Sequence, residues 1–346
     1  MKIGFIVNHV KKEDPNFTTT GLALCAHKRG HEVFYMGAGD LVYYSDEQVG
    51  AHACQVPGKK FSSRTAFMKA VKDAPREKIT SAGLDALLLR NDPAEDIEKR
   101  PWAQSAALLF SQMATRQGVI VLNDPLSLSN AINKMYFQHF PEKVRPKTVI
   151  SRNVEDIQAF FEETHHKMVL KPLQGSGGRN VFLVTQKEAS NINQMFEAIS
   201  RDGYVVAQEY LEEAKQGDIR LFLMNGKPIE VKGKIAMLNR VQKSGDIRSN
   251  IHRGAKAFKG EISDTLLELA ELVKPKLIRD GMFLVGIDVV GNKLMEVNVF
   301  SPGGLGNASD LHKTDFIAPV IDAIEKKVAY KQTYGDSITN TMIATL

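Results

Sequence analysis

Three runs near the start of the chain are apolar almost without a break: KIGFIV at the N-terminus, LDALLLR at 84–90 and GVIVLND at 118–124. A strand with one wet face alternates apolar and polar residues. A strand that is apolar at nearly every position needs cover on both faces, and a parallel sheet flanked by helices provides it. The segments between fit that demand. TTTGLALCAHKRG reads as a helix closed by Gly30, HEVFYMG as a strand, and WAQSAALLFSQMATRQG as a helix ending at Gly118. The opening is therefore βαβ, and residues 1–123 are expected to form an α/β, doubly wound, parallel-sheet domain. No glycine fingerprint follows the first strand, which argues against a nicotinamide dinucleotide site.

The pattern changes after Pro125. Residues 124–203 read as a second unit: a helix carrying Lys134, a strand at 147–152, and a helix capped by Ser151 or Asn153 with Val154, Ile157, Phe160 and Phe161 on one face. Then comes VLKPLQGSGGRNVFLV, two apolar runs joined by a glycine-rich loop, followed by a helix through ASNINQMFEAISRDG. Residues 204–328 are strand-rich. Asn225-Gly226 between two apolar runs is a strong hairpin signal, and GIDVVGNKLMEVNV is a second hairpin turning at Gly291-Asn292. A last helix at about 311–327 precedes a polar tail, 329–346, whose composition is compatible with disorder. The chain is thus α/β at its start and α+β overall.

Several classes of function recede on composition. No apolar run approaches the roughly 20 residues of a membrane span, and the N-terminus lacks the pattern of a signal peptide, so a cytoplasmic location is expected. Cys25 and Cys54 are the only cysteines, too few for a disulfide framework; reduced thiols are expected, with Cys25 buried in a helix. The net charge is +5, and nine of the Lys and Arg residues fall between Lys227 and Gly260 against two acids. With Phe258 the only aromatic there, a nucleic-acid stacking surface is disfavoured and a field for a small polyanion such as nucleotide phosphates fits better.

The glycine loop, 174–178, is neither a Walker A loop nor a dinucleotide loop, because no Lys-Ser/Thr and no helix follow it. A loop of this kind between antiparallel strands can cradle phosphate oxygens with backbone N–H groups and close over a ligand. Lys171, directly before Pro172, would place an ammonium at its root. Gln208 and Glu209 in AQEYL offer backbone groups to an adenine edge. Asp288, Glu296 and Asn298 form the metal candidate: Glu296 and Asn298 share a strand face, and a three-residue turn at 291–293 would pair Asp288 with Glu296. Three oxygen ligands suit Mg²⁺. Asp218, Arg220, Arg240, Arg248 and Asn250 follow in the basic segment, with the guanidinium groups suited to neutralising a transferred phosphate. The histidines make no metal motif, and no Ser-His-Asp or Cys-His arrangement is present.

Taken in order, these features resemble the ATP-grasp ligases, and within them the bacterial glutathione synthetases, over about residues 1–328. The markers are LRNDPAED, VLNDPLSL with Lys134 downstream, VLKPLQGSGG, AQEYL, GDIRLFLMNGKPI, IRSNIHRGAK and GMFLVGIDVVGNKLMEVNVFSP. The resemblance implies an ATP-grasp fold of two α+β subdomains, 124–203 as the lid and 204–328 with the metal site, behind an N-terminal substrate domain. It implies that Lys134 and Lys171 contact phosphates, that Gln174, Gly175, Ser176, Gly177 and Gly178 form the lid, and that Gln208, Glu209, Tyr210 and Leu211 hold the adenine, with Asp218 nearby. Asp288, Glu296 and Asn298 would bind two Mg²⁺ ions, with Mn²⁺ a possible substitute. Arg220, Arg240, Arg248 and Asn250 would surround the transferred phosphate. Arg90 and Asp92 would meet the acyl substrate, and Ser301, Pro302, Gly303 and Gly304 the acceptor side. The implied reaction joins a carboxylate to an amine through an acyl phosphate, with γ-glutamylcysteine and glycine as the substrates. Small molecules, no nucleic acid and no membrane are the partners expected, with dimers or tetramers implied. The chain departs from better-known members at GGLGNASDLHK, after the shared NV-x-SP, and in HRGAK. A related ATP-grasp ligase with a different acceptor (another dipeptide, or a peptide or protein as in glutamate ligases), or a nucleotide-binding regulator without turnover, therefore stays open as an alternative.

Overall fold

In the N-terminal third, β1 (Lys2–Val7) sends Ile3, Phe5 and Val7 to one side and Ile6 to the other. The first side packs on Leu22, Ala23 and Ala26 of α1 (Thr18–Lys28), and the second shares a core with Ala107 and Leu108 of the later helix at 103–116. The computed structural model describes residues 1–175, 178–241 and 256–346. Gly30, at φ +84°, ends α1 and turns the chain into β2 (Glu32–Gly37). An antiparallel edge follows, made of β3 (Leu41–Tyr43), β4 (Val49–Gln55) and, after α2 (Arg64–Asp73), β5 (Arg76–Thr80). The chain then returns to the centre through β6 (Ala86–Leu89), α3 (Ala103–Arg116) and β7 (Ile120–Leu122). Strand order is β3-β4-β2-β1-β6-β7, with β5 on β4, and β2, β1, β6 and β7 are parallel. The doubly wound expectation holds, extended by the antiparallel edge.

A short α4 (Pro125–Ser129) leads on, but the expected helix through Lys134 breaks. Lys134 instead starts a 3₁₀ turn, 134–139, capped by the Asn133 side chain. The central unit is a four-stranded antiparallel sheet of β8 (Thr148–Ser151), β9 (Met168–Pro172), β10 (Phe182–Val184) and β11 (Val205–Glu209), in order β10-β9-β11-β8. Between these strands run α5 (Val154–Glu163) and α6 (Ile192–Ser200). Ile157, Phe160 and Phe161, with Phe196 and Ile199, pack on Met168, Leu170, Val205 and Ala207, a core separate from the other two.

The third part is a sheet in the order β17-β16-β12-β18-β19. Its strands are β12 (Asp218–Met224), with β13 (Lys227–Pro228) folded onto its end, and, beyond the small hairpin of β14 (Glu230–Val231) and β15 (Lys234–Ile235), β16 (Met237–Val241) and β17 (Lys256–Lys259). Helix α7 (Asp264–Arg279) precedes β18 (Leu284–Val290) and β19 (Lys293–Asn298). Met224 pairs with Lys227 around Asn225 and Gly226, both at positive φ, as the hairpin signal requires.

The single last helix expected at 311–327 is two, α8 (Leu305–His312) and α9 (Ala318–Tyr334), parted by Lys313 at φ +49°. The polar tail is also ordered, ending in α10 (Asn340–Ile343). Ile338 and Ile343 are buried, Asn340 hydrogen-bonds both backbone groups of Val121, and the buried Lys327 ammonium binds the carbonyls of Ile343 and Leu346. Cys25 is only partly buried, contrary to expectation, while Cys54 is buried. Val320, Ile321 and Ile324 of α9 share the core of α1. Among the described residues no helix is long and apolar enough to cross a membrane.

Candidate active site

Asp218 and Arg220 lie two apart on β12 and so project from one face. The ladder places Arg240 of β16 opposite Asp218 and Asp288 of β18 opposite Arg220. Two acids and two arginines thus meet across three strands. Arg220 binds Asp288 with Nε and Nη2, each at 2.7 Å; Arg240 reaches Asp288 Oδ2 at 2.8 Å and also pairs with Asp218 through Nε and Nη2. Asp288 is 3% and Arg240 4% exposed. Burial alone would raise the Asp288 pKa, but the two guanidinium groups outweigh it and hold the carboxyl down at about 2. Burial likewise opposes the Arg240 charge, and the carboxylates of Asp288 and Asp218 outweigh it, so its pKa rises.

Asp288 does face Glu296, though not through a three-residue turn. Val290 pairs with Lys293 around a two-residue turn, Val289 with Leu294, and Asp288 with Glu296, so Met295 is an extra residue that bulges. The bulge does what the longer turn was expected to do. Asn298, next on that face, donates its amide to Gly286 O at 3.3 Å and to Asp288 Oδ2 at 3.4 Å. Glu296 is exposed. Two carboxylates and an amide oxygen, with no thiolate or imidazole, fit a hard divalent ion that keeps water or phosphate as its other ligands. Among the described residues no cluster of three or more His, Cys, Asp or Glu forms, so such an ion would depend on phosphate oxygens for part of its shell.

The two lysines approach from the central unit. On β9, Met168 and Leu170 enter the core, so Lys171 projects from the other face, opposite Val206 of β11. Its ammonium donates to Gln208 Oε1 at 2.9 Å, and Gln208 donates in turn to Thr148 Oγ1 at 3.2 Å. Lys134 donates to the carbonyl of Gly175, at the root of the glycine loop, at 2.8 Å. Burial, then the neighbouring Lys134 charge, push Lys171 down to about 8, against the pull of Glu296. Lys134 is lowered by burial, opposed by Glu296 and Asp92. Both cations therefore feel Glu296, the exposed acid of the candidate metal set.

In the loop, Gly175 at φ +136° and Gly178 at φ +69° adopt backbone that other residues rarely take, and Gln174 is exposed. The Glu209 N–H binds Lys147 O at 3.0 Å, so it is committed to the sheet; Tyr210 and Leu211 lie past the last ladder position. Ser176, Gly177, Arg248 and Asn250 lie outside the described residues.

Arg90 follows β6 and is 6% exposed, donating to Thr19 Oγ1 at 3.2 Å and to Pro302 O at 3.1 Å. The next carbonyl, Gly303 O, accepts from Arg220 at 3.2 Å. The 301–304 loop therefore bridges the buried arginine of the N-terminal sheet and the arginine that holds Asp288. Ser301 is half-buried in this loop. Gly304 sits at φ +102°, where a Cβ would stand 2.9 Å from Leu238 Cδ1, so the local departure in sequence has a steric reason. Asp92 caps its own turn by accepting from Ala94 N at 2.9 Å.

Sequence reasoning passed over Glu13 and Asn91. Glu13 is 9% exposed and Asn91 is buried, and Glu13 Oε2 and both amide atoms of Asn91 lack hydrogen-bond partners among the described residues. The available signal was position: both follow strand ends at the carboxyl edge of a parallel sheet, where such folds bind ligands.

Comparison with known proteins agrees in sequence and in fold. The family described as prokaryotic glutathione synthetase, N-terminal domain, matches residues 1–129, and its ATP-grasp domain matches 133–313. The glutathione synthetase of Vibrio parahaemolyticus is 30% identical over 334 residues, covering 95% of this chain and 99% of the relative. That of Gloeobacter violaceus is 34% identical over 313 residues, 88% of this chain and 90% of the relative. Among solved structures, a D-cycloserine synthetase superposes with a TM-score of 0.61 at 12% identity, covering 94% of this chain and 99% of that one. A RimK domain ATP-grasp protein from Sphaerobacter thermophilus gives 0.57 at 16% identity, covering 93% and 98%. Those two likenesses speak to the fold alone. The acids and arginines gathered on one sheet, the two lysines and the glycine loop of the central unit and the match along nearly the whole length agree: the chain belongs to the prokaryotic glutathione synthetase family of ATP-dependent, ADP-forming ligases.

Proposed function

We propose that the protein joins γ-glutamylcysteine to glycine, with ATP converted to ADP and phosphate. The observation that carries this reading is the 301–304 loop, whose neighbouring carbonyls hold Arg90 on one side and Arg220 on the other. A substrate with its charged head at Arg90 would present its far carboxylate beside the Asp288 cluster. There a carboxylate oxygen attacks the γ-phosphorus, the bond to the ADP oxygen breaks, and an acyl phosphate forms. The glycine nitrogen then attacks the acyl carbon, the C–N bond forms, phosphate leaves, and the amine proton passes to phosphate or solvent. Arg220 and Arg240, with Arg248 and Asn250, would neutralise the transferred phosphoryl group, and Lys134 and Lys171 would bind the phosphates of ATP. Asp288, Glu296 and Asn298 would hold Mg²⁺, one or two ions, whose charge offsets that of the phosphates. Gln174 to Gly178 would close over the nucleotide, Gln208 to Leu211 would hold the adenine, and Asp218 would keep Arg240 in place. No protein nucleophile is needed, because catalysis here is positioning and charge stabilisation with water excluded.

Phosphate release from ATP and Mg²⁺, with γ-glutamylcysteine, with and without glycine, tests the reading. Release that needs both, with glutathione detected by mass, is the expected result. Release only with a different amine would keep the chemistry and replace the acceptor, and the Gly303-Gly304-Leu305-Gly306 run is where that change would be sought.

A further inference from the structure

The loop between β6 and α3 begins with Arg90 and is held to the N-terminal sheet by a compact set of polar bonds. Asn8, just past β1, accepts from the Asp92 N–H and donates to Asp92 O, each at 2.8 Å, and its amide also donates to Asp96 Oδ2 at 2.8 Å. Arg100 donates to Asp96 Oδ1 through Nε at 3.0 Å and Nη2 at 2.7 Å, and Nη2 reaches Asn8 O at 2.8 Å. Asp96 is buried. The chain is thus fixed two residues before Glu98 and again two residues after it.

Glu98 meets a different part of the protein. Its Oε1 accepts from Arg179 Nη1 at 2.6 Å. Arg179 lies three residues before β10, in the turn of the β9–β10 hairpin whose first strand carries Lys171. The same loop faces the nucleotide side a second time. Burial lowers the Lys134 pKa, and the carboxylates of Glu296 and Asp92 oppose it, so Asp92 acts on the lysine that holds Gly175 O at the other foot of that turn. The central sheet has a core of its own, apart from the two that serve the rest of the chain. Polar contacts such as these therefore help to set where the hairpin stands against the N-terminal sheet.

The side chains of Arg179 and Glu98 are 51% and 65% exposed. An exposed ion pair holds little when two free side chains must be stilled to make it. Here one partner stands on a loop that is already fixed, so less freedom is lost on pairing.

We propose that Glu98 and Arg179 are a positioning pair for the ligation, setting the hairpin that carries Lys171 against the loop that carries Arg90. Nucleotide and acyl substrate are thereby held in register. The pair acts through the groups it aligns and rests on the ligase reading above, to which it adds a link between the two ends of the site.

Glu98→Gln, Arg179→Gln, the double variant and the exchanged pair, Glu98→Arg with Arg179→Glu, test it in the full-length protein. Hydrogen exchange across residues 178–184 needs no substrate. It should rise in each single variant, rise no further in the double, and return toward the wild type in the exchanged pair. Turnover is read with ATP, Mg²⁺, γ-glutamylcysteine and glycine. In each single variant kcat should fall about two- to fivefold, the weight of an exposed ion pair, while each KM stays within about twofold. The double should fall no further than a single, and the exchanged pair should recover. Exchange equal to the wild type in both single variants, or losses that add in the double, would overturn the pair. Faster exchange with kcat unchanged would leave a structural tie and overturn the positioning role. A wild type that forms no glutathione would overturn the substrate reading instead, and the exchange pattern still decides the pair.

Discussion

Arg220 grips Asp288 with two parallel bonds of 2.7 Å, and Arg240 adds a third contact to the same carboxylate. A carboxyl held in this way stays ionised throughout the physiological range. Asp288→Asn would leave two largely buried guanidinium groups without their shared anion. The expected cost is about 3–5 kcal/mol of stability, the range for breaking one side of a buried ion pair. Urea melts give the number, and a midpoint equal to that of the wild type would contradict the cluster.

Glu296 offers the contrast. It is exposed on the same strand face as Asn298, so Glu296→Gln should leave stability within about 0.5 kcal/mol. Turnover should fall by about a hundredfold or more, the scale of losing a group that organises developing charge. Phosphate release against Mg²⁺ concentration reads it; undiminished turnover would remove Glu296 from the metal set.

The strands around this site were legible because their apolar runs are long and the turn dipeptides sharp. Asn225-Gly226 turns as expected, and Gly291-Asn292 marks the second turn, made in two residues where three were expected. The pairing of Asp288 with Glu296 was legible too, but its cause was not: an extra residue at Met295 leaves no mark in a pattern of alternating side chains. The 3₁₀ turn at Lys134 and the break at Lys313 escaped because local propensity permits a helix at both. The tail was misjudged from its polar average, although burial depends on a few residues, here Ile338 and Ile343. Glu13 stood 77 positions from Arg90, and only the fold brings their charges near each other.

Lys171 predicts a pH dependence. With its pKa brought down to about 8, the ammonium is fully charged well below that pH and loses its proton above it. Affinity for ATP in the absence of metal should therefore weaken as pH rises through about 8. Lys171→Met should bind ATP more weakly and with a flatter profile. Equilibrium titration at pH 7 and pH 9 checks both, and a wild-type profile without slope would count against a phosphate contact.

Glu13 predicts a stability profile of definite sign. Its folded pKa of about 7 lies above its unfolded value near 4.5, so the folded state holds the extra proton between them. The contribution is complete below about pH 4.5 and is lost as pH rises through about 7. Glu13→Gln should remove that slope and be more stable than the wild type at pH 8, by on the order of 3 kcal/mol. Urea melts at pH 5 and pH 8 decide it; a variant that is less stable at pH 8 would show that the carboxylate is satisfied.

Lys327 ties the C-terminus down, donating to Asn225 Oδ1, Ile343 O and Leu346 O at 2.7–3.0 Å. Lys327→Met would strand those acceptors and should cost about 2–3 kcal/mol. Hydrogen exchange should rise across residues 338–346, and unchanged exchange there would overturn the tie.

The central sheet packs on its own helices, while α9 returns from the far end of the chain to join the core of α1. The first and last thirds thereby share one core and are expected to melt together, while the sheet of 148–209, with its own core, is expected to melt apart from them. Heat or denaturant is expected to separate the two parts, so lost activity and lost structure need not share a midpoint. A nucleotide bridging Lys171 and the Asp288 cluster would draw the two transitions together.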